Sequence, residues 1–495
     1  MRRIEHWIDG GVFAGGGQRV GPVWDPAAGT QQAEVALGTP AEVAAAVSSA
    51  QAAFPGWRAT PLSRRAEILF AFRELLHARR DEVAAVVTSE HGKTLPDALG
   101  EVSRGLENVE FACGIPQLLK GEFSEQVSNG VDVFSIRQPL GVVAGITPFN
   151  FPVMVPLWML SGAIACGNTF VLKPSEKDPS ASLWLAAALG EAGLPPGVLN
   201  VVHGDREAVE ALIGSPEVAA VSFVGSTPIA RSIYETATRA GKRVQALGGA
   251  KNHMVVLPDA EIDLAADAAV SAGYGSAGER CMAVSVVVAV GQVADPLVDA
   301  IAARLPKLRV GPGTAPDSEM GPLVTAEHRD KVASYLDSGR SAGAELVVDG
   351  RSHDLPAGGF YLGPSLFDRV EPTMDVYRDE IFGPVLCVVR VGTYEDALRL
   401  VNDNAYGNGT AIFTRDGGAA RRFQFDCQVG MVGINVPIPV PVASYSFGGW
   451  KDSLFGDTHM YGPDGVRFYT RSKVVTSRWP DPSSSRVDLG FPVTR

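Results

Sequence analysis

The amino-acid sequence predicts an α/β protein built from two successive series of parallel strands, each covered on both faces by crossover helices. Two observations carry that expectation. Short, uncharged, apolar segments recur at 141–146, 169–172, 198–202 and 219–223 with helix-like stretches between them, and strands buried on both faces have this character. A second set follows at 253–257, 284–290, 385–391 and 410–413, far enough along to form a separate sheet. At 495 residues the chain has the length expected of two or three domains.

Taken in order, Thr39-Pro40-Ala41-Glu42 combines an N-cap, a first-turn proline and a capping-box glutamate, so a helix is expected to about residue 54. Further helices are expected over 63–90 and 95–113, where polar flanks suit surface positions. Residues 138–172 carry no charge and are numerous enough to span a bilayer. Pro148, Pro152 and Pro156, with Asn150 and Asn168, instead divide that run into strand, loop and short helix, as at the centre of an α/β sheet. Residues 466–470 read as a strand outside both series, available to a neighbouring domain or another subunit. The final segment, 480–495, is polar and rich in proline and serine.

Composition narrows the function classes. A net charge of -12 argues against a general nucleic-acid or anionic-membrane binder, while leaving room for a local site that holds phosphate. The five cysteines, Cys113, Cys166, Cys281, Cys387 and Cys427, are widely spaced and form no CxxC pair, so reduced thiols in a cytoplasmic protein are expected. The basic start Met1-Arg2-Arg3 is followed by Glu5 with no apolar stretch, which does not read as a secretion signal. No histidine pair has metal-ligand spacing, so no metal site is expected.

Two glycine motifs are set aside. The GxGxxG match at 273–278 follows a helical run from Asp263 where a dinucleotide fingerprint needs a strand. Gly92-Lys93-Thr94 lacks the earlier glycine of a phosphate loop.

Residues just after the strands carry the chemistry, because parallel sheets bind ligands at their carboxyl ends. Asn150, in Thr147-Pro148-Phe149-Asn150-Phe151-Pro152, could donate its amide to a developing oxyanion, although a turn-forming asparagine accounts for the same letters. In Lys173-Pro174-Ser175-Glu176 the carboxylate could accept both hydroxyls of an adenosine ribose and repel a 2′-phosphate, favouring NAD over NADP. Ser226 or Thr227 in Gly225-Ser226-Thr227-Pro228 could cap a helix whose N-terminus attracts phosphate. In Gly278-Glu279-Arg280-Cys281-Met282-Ala283 a cysteine lies beside a cation that would favour a thiolate nucleophile, while alone it reads as a buried apolar residue.

With these motifs in order, the chain resembles the aldehyde dehydrogenase superfamily over essentially its whole length. The shared elements are Pro148-Phe149-Asn150-Phe151-Pro152, Lys173-Pro174-Ser175-Glu176, Phe223-Val224-Gly225-Ser226, Gly278-Glu279-Arg280-Cys281 and Glu380-Ile381-Phe382-Gly383-Pro384. The resemblance implies an atypical Rossmann NAD-binding domain (1–117 and 138–249), an α/β catalytic domain (250–450), a small oligomerisation element (118–137 and 451–479) and a tail (480–495). Hydrolytic members of the superfamily carry Glu-Leu-Gly-Gly-Lys, with the glutamate as base for water. This chain reads Leu247-Gly248-Gly249-Ala250-Lys251, and a leucine cannot activate water.

Lys251-Asn252-His253, the cysteine motif through Ala283, and Asn435-Val436-Pro437-Ile438-Pro439-Val440-Pro441 resemble the CoA-acylating methylmalonate-semialdehyde dehydrogenases. That resemblance implies oxidation of malonate or methylmalonate semialdehyde with NAD, loss of carbon dioxide, and release of acetyl-CoA or propionyl-CoA to coenzyme A. It implies Cys281 as nucleophile and Asn150 as oxyanion donor. By motif position it assigns NAD contacts to Thr147, Phe149, Lys173, Glu176, Lys177, Ser226, Gly248 and Glu380. A carboxylate-bearing substrate calls for arginine, and Arg104 and Arg280 are the candidates, with surface or structural ion pairs as the plain alternative. A homo-oligomer of two or four copies is also implied. A hydrolytic semialdehyde dehydrogenase and a catalytically silent NAD-binding homologue are the competing readings.

Overall fold

Eight strands form the first sheet of the computed structural model, which describes residues 1–484, 487 and 489. Its centre is parallel. Val142–Ile146 lies between Thr169–Lys173 on one side and Val218–Val224 on the other, with Leu199–Val201 and Arg243–Leu247 beyond them. The chain therefore leaves Val142–Ile146 in one direction and later returns to its opposite side. Its carboxyl end is the switch point where such sheets open a ligand crevice.

The uncharged run owes its composition to depth. Val142–Ile146 and Thr169–Lys173 are buried throughout, and every residue of the helix Met154–Ala165 except Gly162 is buried. Pro156 does not end that helix as a breaker would. It occupies the first turn, where its missing N–H would have had no intrahelical partner. Asn168 does delimit the segment: its Oδ1 accepts the N–H groups of Leu140 and Gly141, and its Nδ2 donates to the carbonyls of Ala163 and Tyr469. Among the described residues no helix is long and apolar enough to cross a membrane.

The capping box of Thr39 and Glu42 is present, but the helix runs from Pro40 to Ala59, past the expected end and through Pro55. Tertiary packing extends it, since Trp57 is buried and its indole N–H reaches the Ile164 carbonyl at 3.0 Å. The expected 63–90 helix is two, Leu62–Ala78 and Arg80–His91, broken at Arg79 where φ is -114° and ψ is 21°. Leu95–Cys113 forms as expected.

The second sheet has seven strands, with Val284–Val290, Asn252–Val256, Val385–Val391 and Gly409–Phe413 parallel at its centre. A third sheet pairs Thr470–Arg478 with Val131–Pro139 and Phe123–Ser128. The expected strand at 466–470 is misplaced: residues to Phe468 belong to the helix Gly462–Phe468, and the strand starts at Thr470. Burial of Val466, Phe468 and Tyr469 explains the apolar pattern that suggested a strand there. Most of the 480–495 segment lies outside the described residues.

Candidate active site

Thr147 to Asn150 follow Val142–Ile146 at the switch point. The Thr147 N–H bonds the Lys173 carbonyl at 3.1 Å, while its hydroxyl is buried without a partner. Phe149 packs among His91, His328 and Phe382, and the Lys177 ammonium sits 4.5 Å from its ring centre. Lys173 and Glu176 pair at 3.2 Å, with the glutamate facing solvent at 40% exposure. Ser226 is exposed at the N-cap position of the helix Thr227–Arg239, and neither it nor Thr227 bonds that helix end as a side-chain cap. Thr227 Oγ1 instead accepts the Gly249 N–H at 2.7 Å. At Gly248 an added Cβ would lie 2.7 Å from the Asp452 carbonyl oxygen, so that bend accepts no larger residue.

Asn150 is buried and held from two sides. Its Nδ2 donates to the Glu279 carbonyl at 2.9 Å, and its own carbonyl accepts the Lys93 ammonium at 2.7 Å. Lys93 also pairs with Glu101 Oε2 at 2.7 Å, both side chains having no exposure. Glu101 Oε1 in turn accepts the Val153 and Met154 N–H groups, supplying the start of the Met154–Ala165 helix with the acceptor its own N-cap lacks. Lys93 belongs to the Gly92-Lys93-Thr94 fragment that resembles the end of a phosphate loop. It carries no local signal, because its partners lie 8 and 57 positions away.

Cys281 enters the second sheet at the amino end of Val284–Val290, so the carboxyl-end rule that located Asn150 does not apply to it. The turn before it is strained. Ser276, Ala277 and Gly278 have φ of 54°, 51° and 76°, a conformation that the first two adopt only under external constraint. Constraint comes from Asn252 and Asn408, whose Nδ2 groups donate to the Cys281 carbonyl at 2.9 and 3.2 Å. Neither role is readable from sequence.

Burial pushes the Cys281 thiol up to about 12, with Glu380 adding to the rise, and these outweigh Arg280. Arg280 is itself paired, its Nη2 lying 2.6 Å from Asp97 Oδ1. Glu380 lines a small cavity with Cys281, accepts the Ala250 N–H at 2.9 Å, and is raised by burial to about 7. Glu279 is raised by burial to about 8, with His91 and His328 flanking its carboxyl at 3.8 and 3.6 Å. Burial also lowers both of those imidazoles, so the trio is a neutral contact more than an ion pair.

A cavity of about 320 Å³ opens beside Cys281 and is walled in part by Arg104, Arg280, Phe151, Trp158 and Phe447. Arg104 pairs with Glu107 at 2.7 Å and donates to the Pro441 carbonyl at 2.8 Å, while Glu101, three positions before it on the helix, is taken by Lys93. Leu247, at the end of Arg243–Leu247, is 2% exposed within the apolar cluster that contains Met282 and against which Cys281 packs. Among the described residues no group of acidic, histidine and cysteine side chains could hold a metal ion.

Relatives share this architecture from end to end. A malonate-semialdehyde dehydrogenase of Pseudomonas aeruginosa is 58% identical over 99% of this chain and 100% of its own length, and one of Halalkalibacterium halodurans is 46% identical over 96% and 98%. Among solved structures, a Sinorhizobium meliloti 1021 protein assigned as methylmalonate-semialdehyde dehydrogenase and complexed with NAD superposes with a TM-score of 0.97 at 54% identity, covering 98% of this chain and 99% of that one. The methylmalonate-semialdehyde dehydrogenase of Oceanimonas doudoroffii gives 0.96 at 56% identity, with coverage of 98% and 99%. The aldehyde dehydrogenase family model matches residues 13–475, and the chain belongs to that family.

Proposed function

We propose that the protein is an NAD-dependent, CoA-acylating dehydrogenase that converts malonate or methylmalonate semialdehyde into acetyl-CoA or propionyl-CoA with loss of carbon dioxide. The observation that carries the reading is a nucleophile cavity holding two guanidinium groups and no uncommitted carboxylate. Of its acidic side chains, Asp97 is bonded to Arg280, and Glu101 is bonded to Lys93 and two backbone N–H groups. Leu247 stands where hydrolytic relatives keep their base. A substrate carboxylate is thus accommodated, while water finds no base at that position and a thiol acceptor is favoured.

In this reading Cys281, once deprotonated, attacks the aldehyde carbon. The second Asn150 amide N–H and the Cys281 backbone N–H face the oxygen that becomes negative. One Asn150 amide hydrogen already lies on Glu279, which fixes the direction of the other. Arg280 and Arg104 orient the substrate carboxylate. The unpartnered Thr147 hydroxyl, the closed bend at Gly248 and the solvent-facing Glu176 suit a dinucleotide, with Phe149, Lys173, Lys177, Ser226 and Glu380 completing its contacts. When bound, NAD supplies the hydride acceptor. Residues 1–117 and 138–249, which supply most of the first sheet, are the cofactor domain in this scheme, 250–450 carries the thiol, and 118–137 with 451–479 joins copies into a dimer or tetramer. Five unpaired cysteines suit a reducing cytoplasm.

Glu380 supports a second reading. A carboxyl near 7 sharing a cavity with Cys281 could activate water and give a free acid. Incubation with NAD, CoA and each semialdehyde, followed by mass identification of the products, separates the two. The CoA-acylating reading expects acyl-CoA and a steady-state rate that collapses without CoA. A full rate without CoA, yielding free acid, would overturn it.

A further inference from the structure

Asp97 is a charged group beside the nucleophile that the mechanism above does not use. It lies in the first turn of the helix Leu95–Cys113, seven residues before Arg104 and on the same face. Arg280 donates from Nη2 to its Oδ1 at 2.6 Å, and its Oδ2 is buried without a partner. The pair forms a partition, lining both the 320 Å³ cavity of Cys281 and a groove of about 650 Å³ on the other side. The guanidinium next to the nucleophile thus holds a carboxylate before any substrate arrives.

On the decarboxylating reading proposed above, this has a chemical consequence. The acyl group on Cys281 carries a carboxylate one carbon from the thioester carbonyl. Its loss breaks the bond between that carbon and the carboxylate carbon. The electron pair moves into a thioester enolate, neutral carbon dioxide departs, and a proton from water then quenches the carbon. A lone guanidinium on the carboxylate would stabilise the charged starting state more than the transition state in which that charge migrates, and would slow the step. We propose that Asp97 is a positioning residue that restrains Arg280 and offsets its charge, so that the acyl group is oriented yet held loosely enough to lose carbon dioxide before CoA takes the thioester.

Asp97→Asn keeps an oxygen acceptor for Arg280 and removes the charge. It is compared with the wild type using NAD, CoA and either malonate semialdehyde or propanal, which lacks the carboxylate. The ratio of KM for propanal to KM for malonate semialdehyde is expected to rise about fivefold, the scale of one partly exposed ion pair. Malonyl-CoA should appear beside acetyl-CoA, because transfer now competes with a slowed decarboxylation. Asp97→Glu, which keeps the charge, should return the product to acetyl-CoA. Acetyl-CoA alone from Asp97→Asn, or a fall in the KM ratio, would overturn the inference while leaving the proposed function standing. Wild-type protein that forms no acetyl-CoA would overturn the function and the inference with it.

Discussion

Leu247→Glu tests whether the missing base decides the fate of the thioester. The substitution places a carboxyl in the apolar cluster shared by Leu247 and Met282 and packed by Cys281. Burial raises Glu279 to about 8 and Glu380 to about 7, so a carboxyl at this position should titrate in the same range and be half-ionised near neutral pH. A positioned general base contributes about 100-fold to 10,000-fold. CoA-independent NADH formation should therefore rise by about 100-fold or more on the alkaline side of that titration, with free acid as product. The loss of a buried leucine costs about 2 kcal/mol, and desolvating the carboxyl adds to it, so a lower melting temperature accompanies the gain. Steady-state rates with and without CoA, taken across neutral pH alongside thermal melts, supply the readout. A folded variant that keeps its single-turnover NADH burst but whose CoA-free rate stays at the wild-type level would refute the argument.

Three further outcomes are expected. Asn150→Ala should slow single-turnover NADH formation by about 100-fold or more, because one oxyanion donor is lost, and stopped-flow traces within a few-fold of wild type would count against that role. Lys93→Met leaves the Glu101 carboxylate buried without its cation and should cost about 3–5 kcal/mol in denaturant unfolding, whereas an unchanged midpoint would contradict the assigned pairing. His203 and His253 are pushed by burial to about 3 from an unfolded value of 6.5. The unfolded chain takes up those protons first, so stability present above pH 6.5 should fall as pH drops towards 3, and denaturation midpoints followed down that range check the sign.

What was legible in the sequence was whatever local order and depth write into it. The central strands were readable because burial on both faces removes every charge from them, and Thr39 with Glu42 marked a helix start because the box closes within four residues. Helix ends were less legible. Trp57 carries its helix past Pro55 by bonding a carbonyl 107 residues away, and apolar residues near 466 mimic a strand because Val466 and Phe468 are buried on a helix. The surroundings of Cys281 are hidden from the sequence for a related reason. Adjacency to Arg280 in sequence points to a stabilised thiolate, whereas Asp97, 183 residues upstream, holds the guanidinium, and desolvation pushes the thiol the other way.

The motifs that revealed the family are separate in sequence because they are neighbours in space. Gly278 admits no side chain, since an added Cβ would fall 2.2 Å from the Gly383 carbonyl oxygen, so the cysteine turn and the Glu380-Ile381-Phe382-Gly383 segment constrain one another directly. Glu380 accepts the Ala250 N–H, and Thr227 accepts that of Gly249, which ties the same segment to the bend after Leu247 and to the helix after Ser226. Asn150 closes the circuit through the Glu279 carbonyl. A strained turn at Ser276 and Ala277 persists only if such contacts over-determine it. Each motif therefore records one side of a contact, and a change at any of them should be felt at Cys281 through backbone position before it is felt through chemistry.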